Sequence, residues 1–376
     1  MKGLFMIEFL RNALSRVDAD YADIRHEKMF ETAIAFDGKD LSQASTSSTD
    51  GYVVRVLKNG GFASGVFTRA EDAQKVLGMV MENAKLTGRN LSEPIRLAPI
   101  AATKAIFKPE LHEDPRKVSF AEKLELTRQA NLIPFSHPAV ATTRTAYNEI
   151  IREKCFVSNE GSEIQEELVT VSLGGRITAR DGNLVQEIVV VSGGGNGFQS
   201  VRNQEQNFAD RTRIAVDLLK AEPVSGGVYN CILNPGMAAV FTHEAFGHSS
   251  EADCIESHPA MREKMQIGAK LGSDKLSITD DATIPGLVGF YRFDDEGVRV
   301  RRTELLKNGV LVGRLHSRRT AAEFGEPLSG HSIAEDYRYP PIIRMGTIFI
   351  EPGRFVIKIR DCMTLKLVFR PGSAFD

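Results

Sequence analysis

The chain has 376 residues, 42% hydrophobic and 26% charged, and 47 basic against 49 acidic residues leave a net charge of −2. That length suits two domains with a sizeable core, and the balanced charge, without a long basic run, excludes a nucleic-acid footprint. No apolar run approaches membrane-spanning length, Glu8 and Arg11 interrupt the apolar start that a signal peptide needs, and four scattered cysteines (155, 231, 254 and 362) point to the reducing cytoplasm rather than to a disulfide scaffold.

Apolar spacing predicts a helix over Leu4–Val17, then a strand over Tyr21–Phe36. Gly51–Leu57 and Gly61–Phe67 flank Lys58-Asn59-Gly60, and Asn-Gly between apolar runs is a strong hairpin signal. Ala70–Leu86 reads as an amphipathic helix. Leu91–Pro115 holds four prolines and little periodicity, so it reads as a connection, and Val118–Ile133 returns to helix. From Ala139 to Val201 β-branched runs predict strands, with a hairpin turn at Asp181-Gly182-Asn183. Gly193-Gly194-Gly195-Asn196-Gly197 lacks the strand-to-helix context of a phosphate cradle and reads as a turn.

Asn203–Lys220 reads as helix and Val228–Leu233 as a strand. Asn234-Pro235-Gly236 then reads as a helix cap with Pro in the first turn, leading into Met237–Thr242. His258–Gly268 reads as a short helix. Gly289–Arg302 and Gly309–His316 bracket Lys307-Asn308-Gly309 in a second hairpin, followed by helix over Ser317–Phe324 and strands over Phe355–Ile359 and Leu365–Phe369. The expected fold is α+β. Residues 1–222 form an N-terminal domain with an antiparallel sheet, helices and a strand-rich centre. Residues 223–376 form a mostly antiparallel β domain whose inserted helices carry the motif below.

His243-Glu244-Ala245-Phe246-Gly247-His248 sets two imidazoles around a carboxylate in an apolar segment. The zinc-peptidase signature spaces its histidines four apart on one helical face. Here the spacing is five, and five steps of about 100° leave the second ring roughly 140° away. A single-turn π-bulge would bring the rings together, and such bulges concentrate at functional sites. Gly247 is where the backbone would depart from helix most cheaply. For converging imidazoles zinc is the expected metal. Glu244 would then take a proton from a water and pass it to a leaving amine. Two histidines are one ligand short of a usual hydrolytic zinc site. Cys254, His258, His316, His331 and Cys362 are further candidates, whereas Glu251 and Asp253 suit orientation of an imidazole through its other ring nitrogen.

The run from His243 to Asp253 resembles the active-site motif of the TldD/PmbA family, once called modulators of DNA gyrase. Asp280-Asp281-Ala282-Thr283-Ile284-Pro285-Gly286, Phe293-Asp294-Asp295-Glu296-Gly297, and Pro341-Ile342-Ile343-Arg344-Met345 followed by Ile350-Glu351-Pro352-Gly353 are similar to further family segments. The resemblance implies a TldD-type zinc metallopeptidase acting on peptides and unstructured segments, working as a heterodimer with a PmbA-type partner. His243 and His248 match the family's zinc ligands, and Glu244 its catalytic carboxylate. The family's third ligand is a Cys in a Gly-rich C-terminal motif. Residues 354–376 do not resemble that continuation, and Cys362 is not in a matching context. The expectation is a truncated or frameshifted chain, with a rival: a catalytically impaired homologue that only binds peptides or a partner.

Overall fold

A computed structural model of the chain describes residues 2–223 and 225–353. Cys362 and the two strands expected beyond residue 354 lie outside the described residues. After helix α1 (Lys2–Leu14), strands β1 (Tyr21–Asp37), β2 (Asp40–Lys58) and β3 (Gly61–Phe67) form a meander. Helix α2 (Ala73–Asn90), strand β4 (Lys104–Phe107) and helix α3 (Phe120–Leu132) follow. Strands β5 (Val140–Ser158), β6 (Glu163–Asp181) and β7 (Leu184–Gly194) then lead to helix α4 (Glu205–Leu218). Together they build a seven-stranded sheet in the order β3-β2-β1-β5-β6-β4, with β7 also on β6. Every pairing in it is antiparallel except β4 on β6.

The Asn-Gly hairpin forms as predicted. Lys58 pairs with Gly61, and Asn59 (φ 54°) and Gly60 (φ 78°) both take left-handed backbone, the signature of the tight turn that suits twisted strands. Two differences have physical causes. Residues 40–50 continue β2, although Leu41–Asp50 is polar and its side chains are largely exposed; β1 supplies their hydrogen-bonding edge. Within the connection, Lys104–Phe107 finds a parallel partner in β6.

One face of the sheet is apolar. Ile7, Leu10, Ala22, Ile24, Val54, Val56, Leu77 and Val80 form one core under α1 and α2. Ile34, Tyr147, Val171, Leu173, Ile177, Phe198 and Phe208 form a second. Where Asp294–Glu296 covers it, the other face of β1, β2 and β5 is buried too, but charged. Arg25 (2.9 Å) and Lys154 (3.1 Å) meet Asp295, and Arg55 bridges Asp23 (2.6 Å) and Glu296 (3.2 Å). The Asp294-Asp295-Glu296-Gly297 turn is thus the seat on which the second half rests against the sheet.

That second half contains helices α5 (Pro235–Thr242), α6 (Ala252–Glu256) and α7 (Pro259–Lys264), strands β8 (Ile278–Asp280), β9 (Thr303–Lys307) and β10 (Val310–Leu311), and helix α8 (Arg318–Phe324). Short strands β11 (Ser332–Ile333), β12 (Ile342–Ile343) and β13 (Ile348–Ile350) complete it. A four-stranded antiparallel sheet runs β10-β9-β8-β13, and β11 pairs with β12. Ala252, Ile255, Ile278, Leu305, Leu306, Leu311, Leu315 and Ile343 fill its core.

The α+β class with antiparallel sheets holds, but three second-half expectations need correction. Val228–Leu233 is no strand: it is irregular, and Val228, Tyr229, Ile232 and Leu233 are exposed, with no pairing strand among the described residues. Gly289–Arg302 is mostly loop, because its buried residues are held by turns and by Asp294, whose Oδ1 accepts from Glu296 and Val298 backbone N–H groups. The hairpin at Asn308-Gly309 survives in shortened form, as β9 and β10.

Candidate metal centre

Asn234 starts the segment. Its side-chain oxygen accepts from the Met237 N–H at 2.8 Å, and Pro235 occupies the first turn. α5 then widens. Residues His243–Gly247 form a π-turn in which the His248 N–H donates to the His243 carbonyl, five residues back. The extra residue per turn compensates for the five-residue spacing. The two imidazole centroids lie 4.7 Å apart at 86°, and the donor atoms of His243, Glu244 and His248 all fall within 4.8 Å of one another. Glu244 is largely exposed, with an oxygen 4.0 Å from His248 Nε2.

The reason for Gly247 differs from that read in the sequence. Its backbone is helical (φ −59°, ψ −56°), so no unusual conformation requires glycine. Space does: a Cβ there would lie 2.0 Å from Met345 Sδ and 3.0 Å from Ile348 Cδ1.

His248 is oriented from behind. Its Nδ1 lies 3.1 Å from Glu251 Oε2, which leaves Nε2 on the side of Glu244. Glu251 is buried, and the bonds Leu315 N–H to Ser250 carbonyl (2.9 Å) and Ala252 N–H to Leu315 carbonyl (3.1 Å) fix its backbone to the core. Burial pushes its carboxyl pKa up, against the pull of the bond to His248. Asp253 touches no imidazole; it accepts from the Ile343 N–H at 3.2 Å.

The other sequence candidates do not join the cluster. His258 bonds the Cys254 carbonyl at 2.8 Å. His316 is buried between Thr320 (3.1 Å) and Glu326 (3.0 Å), and His331 is buried against Asp280 at 2.8 Å. Among the described residues, no Cys stands in the group of possible metal ligands formed by His243, Glu244 and His248.

Sequence reading assigned no role to Arg344 or Met345, although it singled out the segment that holds them. Arg344 reaches Glu251 Oε2 at 3.4 Å, and Met345 covers Gly247. Both also line a cavity of about 810 Å³. Its floor is the sheet, through Glu31, Ile150 and Thr170, and its opposite wall is the loop Pro285–Arg292.

Two imidazoles and a carboxylate brought together on a π-turn make a candidate metal centre, and comparison with known proteins supplies the class of protein that carries it. Three family models match in succession: PmbA/TldA metallopeptidase domain 1 over residues 22–84, the central domain over 113–221 and the C-terminal domain over 226–360. A metalloprotease of Synechocystis is 34% identical over 89% of this chain and 72% of its own length. A protein of Saccharolobus solfataricus named zinc metalloprotease TldD homolog is 26% identical over 93% of this chain and 76% of its own length. The chain belongs to the PmbA/TldD family of metallopeptidases. Two solved structures share its fold. One is a proposed modulator of a DNA gyrase from Thermotoga maritima (TM-score 0.74, 18% identity, 93% of this chain and 78% of that one). The other is TldE from Thermococcus kodakarensis (TM-score 0.70, 17% identity, 93% and 78%).

Proposed function

We propose that the chain is a zinc-dependent peptidase that hydrolyses peptides or unstructured protein segments, with His243 and His248 as metal ligands and Glu244 as general base. The observation that carries this reading is the convergence of two imidazoles across a π-turn beside an exposed carboxylate. The donor set fits zinc, which takes neutral imidazole nitrogens readily. Bound there, zinc supplies Lewis acidity toward a water and a peptide carbonyl. Glu244 accepts the proton of the attacking water and returns it to the leaving amine. Glu251 accepts from His248 Nδ1–H, which fixes the tautomer that frees Nε2. The neighbouring cavity of about 810 Å³, walled by sheet and loop, lies in the size range of ligand-binding clefts and is the space this reading gives to the substrate.

The same reading includes a PmbA-type partner subunit and a cytoplasmic setting. No described helix is long and apolar enough to cross a membrane, and Cys155, Cys231 and Cys254 are unpaired with one another. The test combines elemental analysis of the purified protein with cleavage of an unfolded peptide, alone and with the partner subunit. E244Q should retain zinc and lose turnover by at least about a hundredfold, the span of general-base catalysis. Undiminished cleavage by E244Q removes Glu244 from its role, and a protein that takes up no zinc removes the whole reading.

A further inference from the structure

We propose that Arg344 is a positioning residue for this centre: from the cavity wall its guanidinium neutralises the buried Glu251 carboxylate and holds it against His248 Nδ1. The inference rests on the zinc reading above.

Glu251 is 4% exposed, and a buried carboxylate is costly unless paired. Among the described residues its side-chain partners are the His248 imidazole at 3.1 Å and the Arg344 guanidinium at 3.4 Å, both on Oε2. Oε1 is buried without a hydrogen-bond partner, so the carboxylate is steered through one oxygen only. An imidazole that ligates a metal needs its other ring nitrogen held by an acceptor, and the acceptor must itself be held. Arg344 is the cation available for that.

The backbone presents Arg344 rigidly. Its own N–H donates to the His331 carbonyl at 2.9 Å. Ile343 before it donates to Asp253 at 3.2 Å, and Gly346 after it donates to both Asp280 oxygens at 3.1 Å. Met345 lies over Gly247 of the π-turn. Ile343, Arg344 and Met345 thus each meet the metal-motif segment, Gly346 anchors the run to Asp280, and Arg344 is the one that carries charge to the motif. Its side chain remains 51% exposed, so substitution leaves no large void.

The experiment is a zinc titration of the metal-free protein against a chromophoric chelator, for wild type, R344Q, E251Q and the double variant, with circular dichroism as the control for folding. R344Q should bind zinc about tenfold more weakly, the lower end for loss of an outer partner. In the E251Q background R344Q should add less than about twofold, because the two act through one path. An affinity of R344Q within about twofold of wild type overturns the proposal, as does a full loss that persists on top of E251Q. If R344Q does not fold, R344M answers on the same terms: about tenfold weaker binding supports the role, and an affinity within about twofold of wild type overturns it. Wild-type protein that binds no zinc refutes the zinc reading itself, which is a distinct result.

Discussion

At the scale of single residues, the π-turn depends on what Gly247 lacks. The five-residue spacing of His243 and His248 made a distorted helix legible, because a regular one cannot aim both rings together. The role of Gly247 was not legible. It arises from Met345, almost a hundred residues later, and no local pattern encodes a contact at that separation. G247A should therefore destabilise the protein by about 1–3 kcal/mol, the range for overpacking, as read by chemical denaturation. M345A in the same chain should recover part of that loss, because it removes the atom that the new Cβ would strike. Full additivity of the two changes would show that Met345 is not the obstacle. Arg344 illustrates the same limit. Its place in a family-like segment was visible, but its contact with Glu251 depends on how β12 packs beside α6.

Among the elements, α5 has little packing to rely on. It spans eight residues, with only Thr242 buried, and Val240 and Phe241 are largely exposed. A helix this short is marginal without tertiary support, so its cap matters more than usual. N234A removes the acceptor for the Met237 N–H and should cost about 1 kcal/mol. It should also weaken zinc binding, because α5 leads directly into the π-turn. Stability unchanged in a denaturation series would mean that water replaces the cap without loss. The cap was legible, as Asn-Pro-Gly ahead of an apolar run, and so were both Asn-Gly hairpins, since each is written within a few residues. Elements that lean on distant partners were not. Residues 40–50 of β2 carry no apolar alternation, and their strand state comes from the edge offered by β1. Val228–Leu233 shows the converse. β-branched composition alone does not make a strand where no described neighbour offers an edge.

Over the whole molecule, the two halves meet through charge, and that sets the response to pH. Asp23, Arg25 and Glu27 alternate along β1 on one face, and all three are buried beneath the turn at Asp294–Glu296. Asp295 takes Arg25 at 2.9 Å, Lys154 at 3.1 Å and the Ala334 N–H at 2.8 Å. Burial alone would raise its pKa, but the charges of Arg25, Lys154 and Arg152 outweigh it and hold the carboxyl below its ordinary range. Its contribution is complete above the unfolded value of about 4 and is lost as pH falls toward the native value. Asp294 acts in the opposite sense. Burial and the Glu296 charge push it up to about 8. The native state therefore keeps a proton that the unfolded chain has released, and stability declines as pH rises from about 4 through 8. Glu27 and Glu166, both pushed up by burial, add to that decline. D295N leaves Arg25 and Lys154 short of a buried counter-charge and should cost about 3–5 kcal/mol at neutral pH. It should also flatten the loss of stability below about pH 4, since the titrating group is gone. D294N should instead leave the acid arm intact and make the decline from about pH 4 to 8 shallower, though not absent, because Glu27 and Glu166 remain. Urea midpoints collected for the three proteins from acid to mildly alkaline pH separate the two arms. A D295N profile parallel to that of wild type below pH 4 would show that the Asp295 cluster does not govern how the halves hold together in acid.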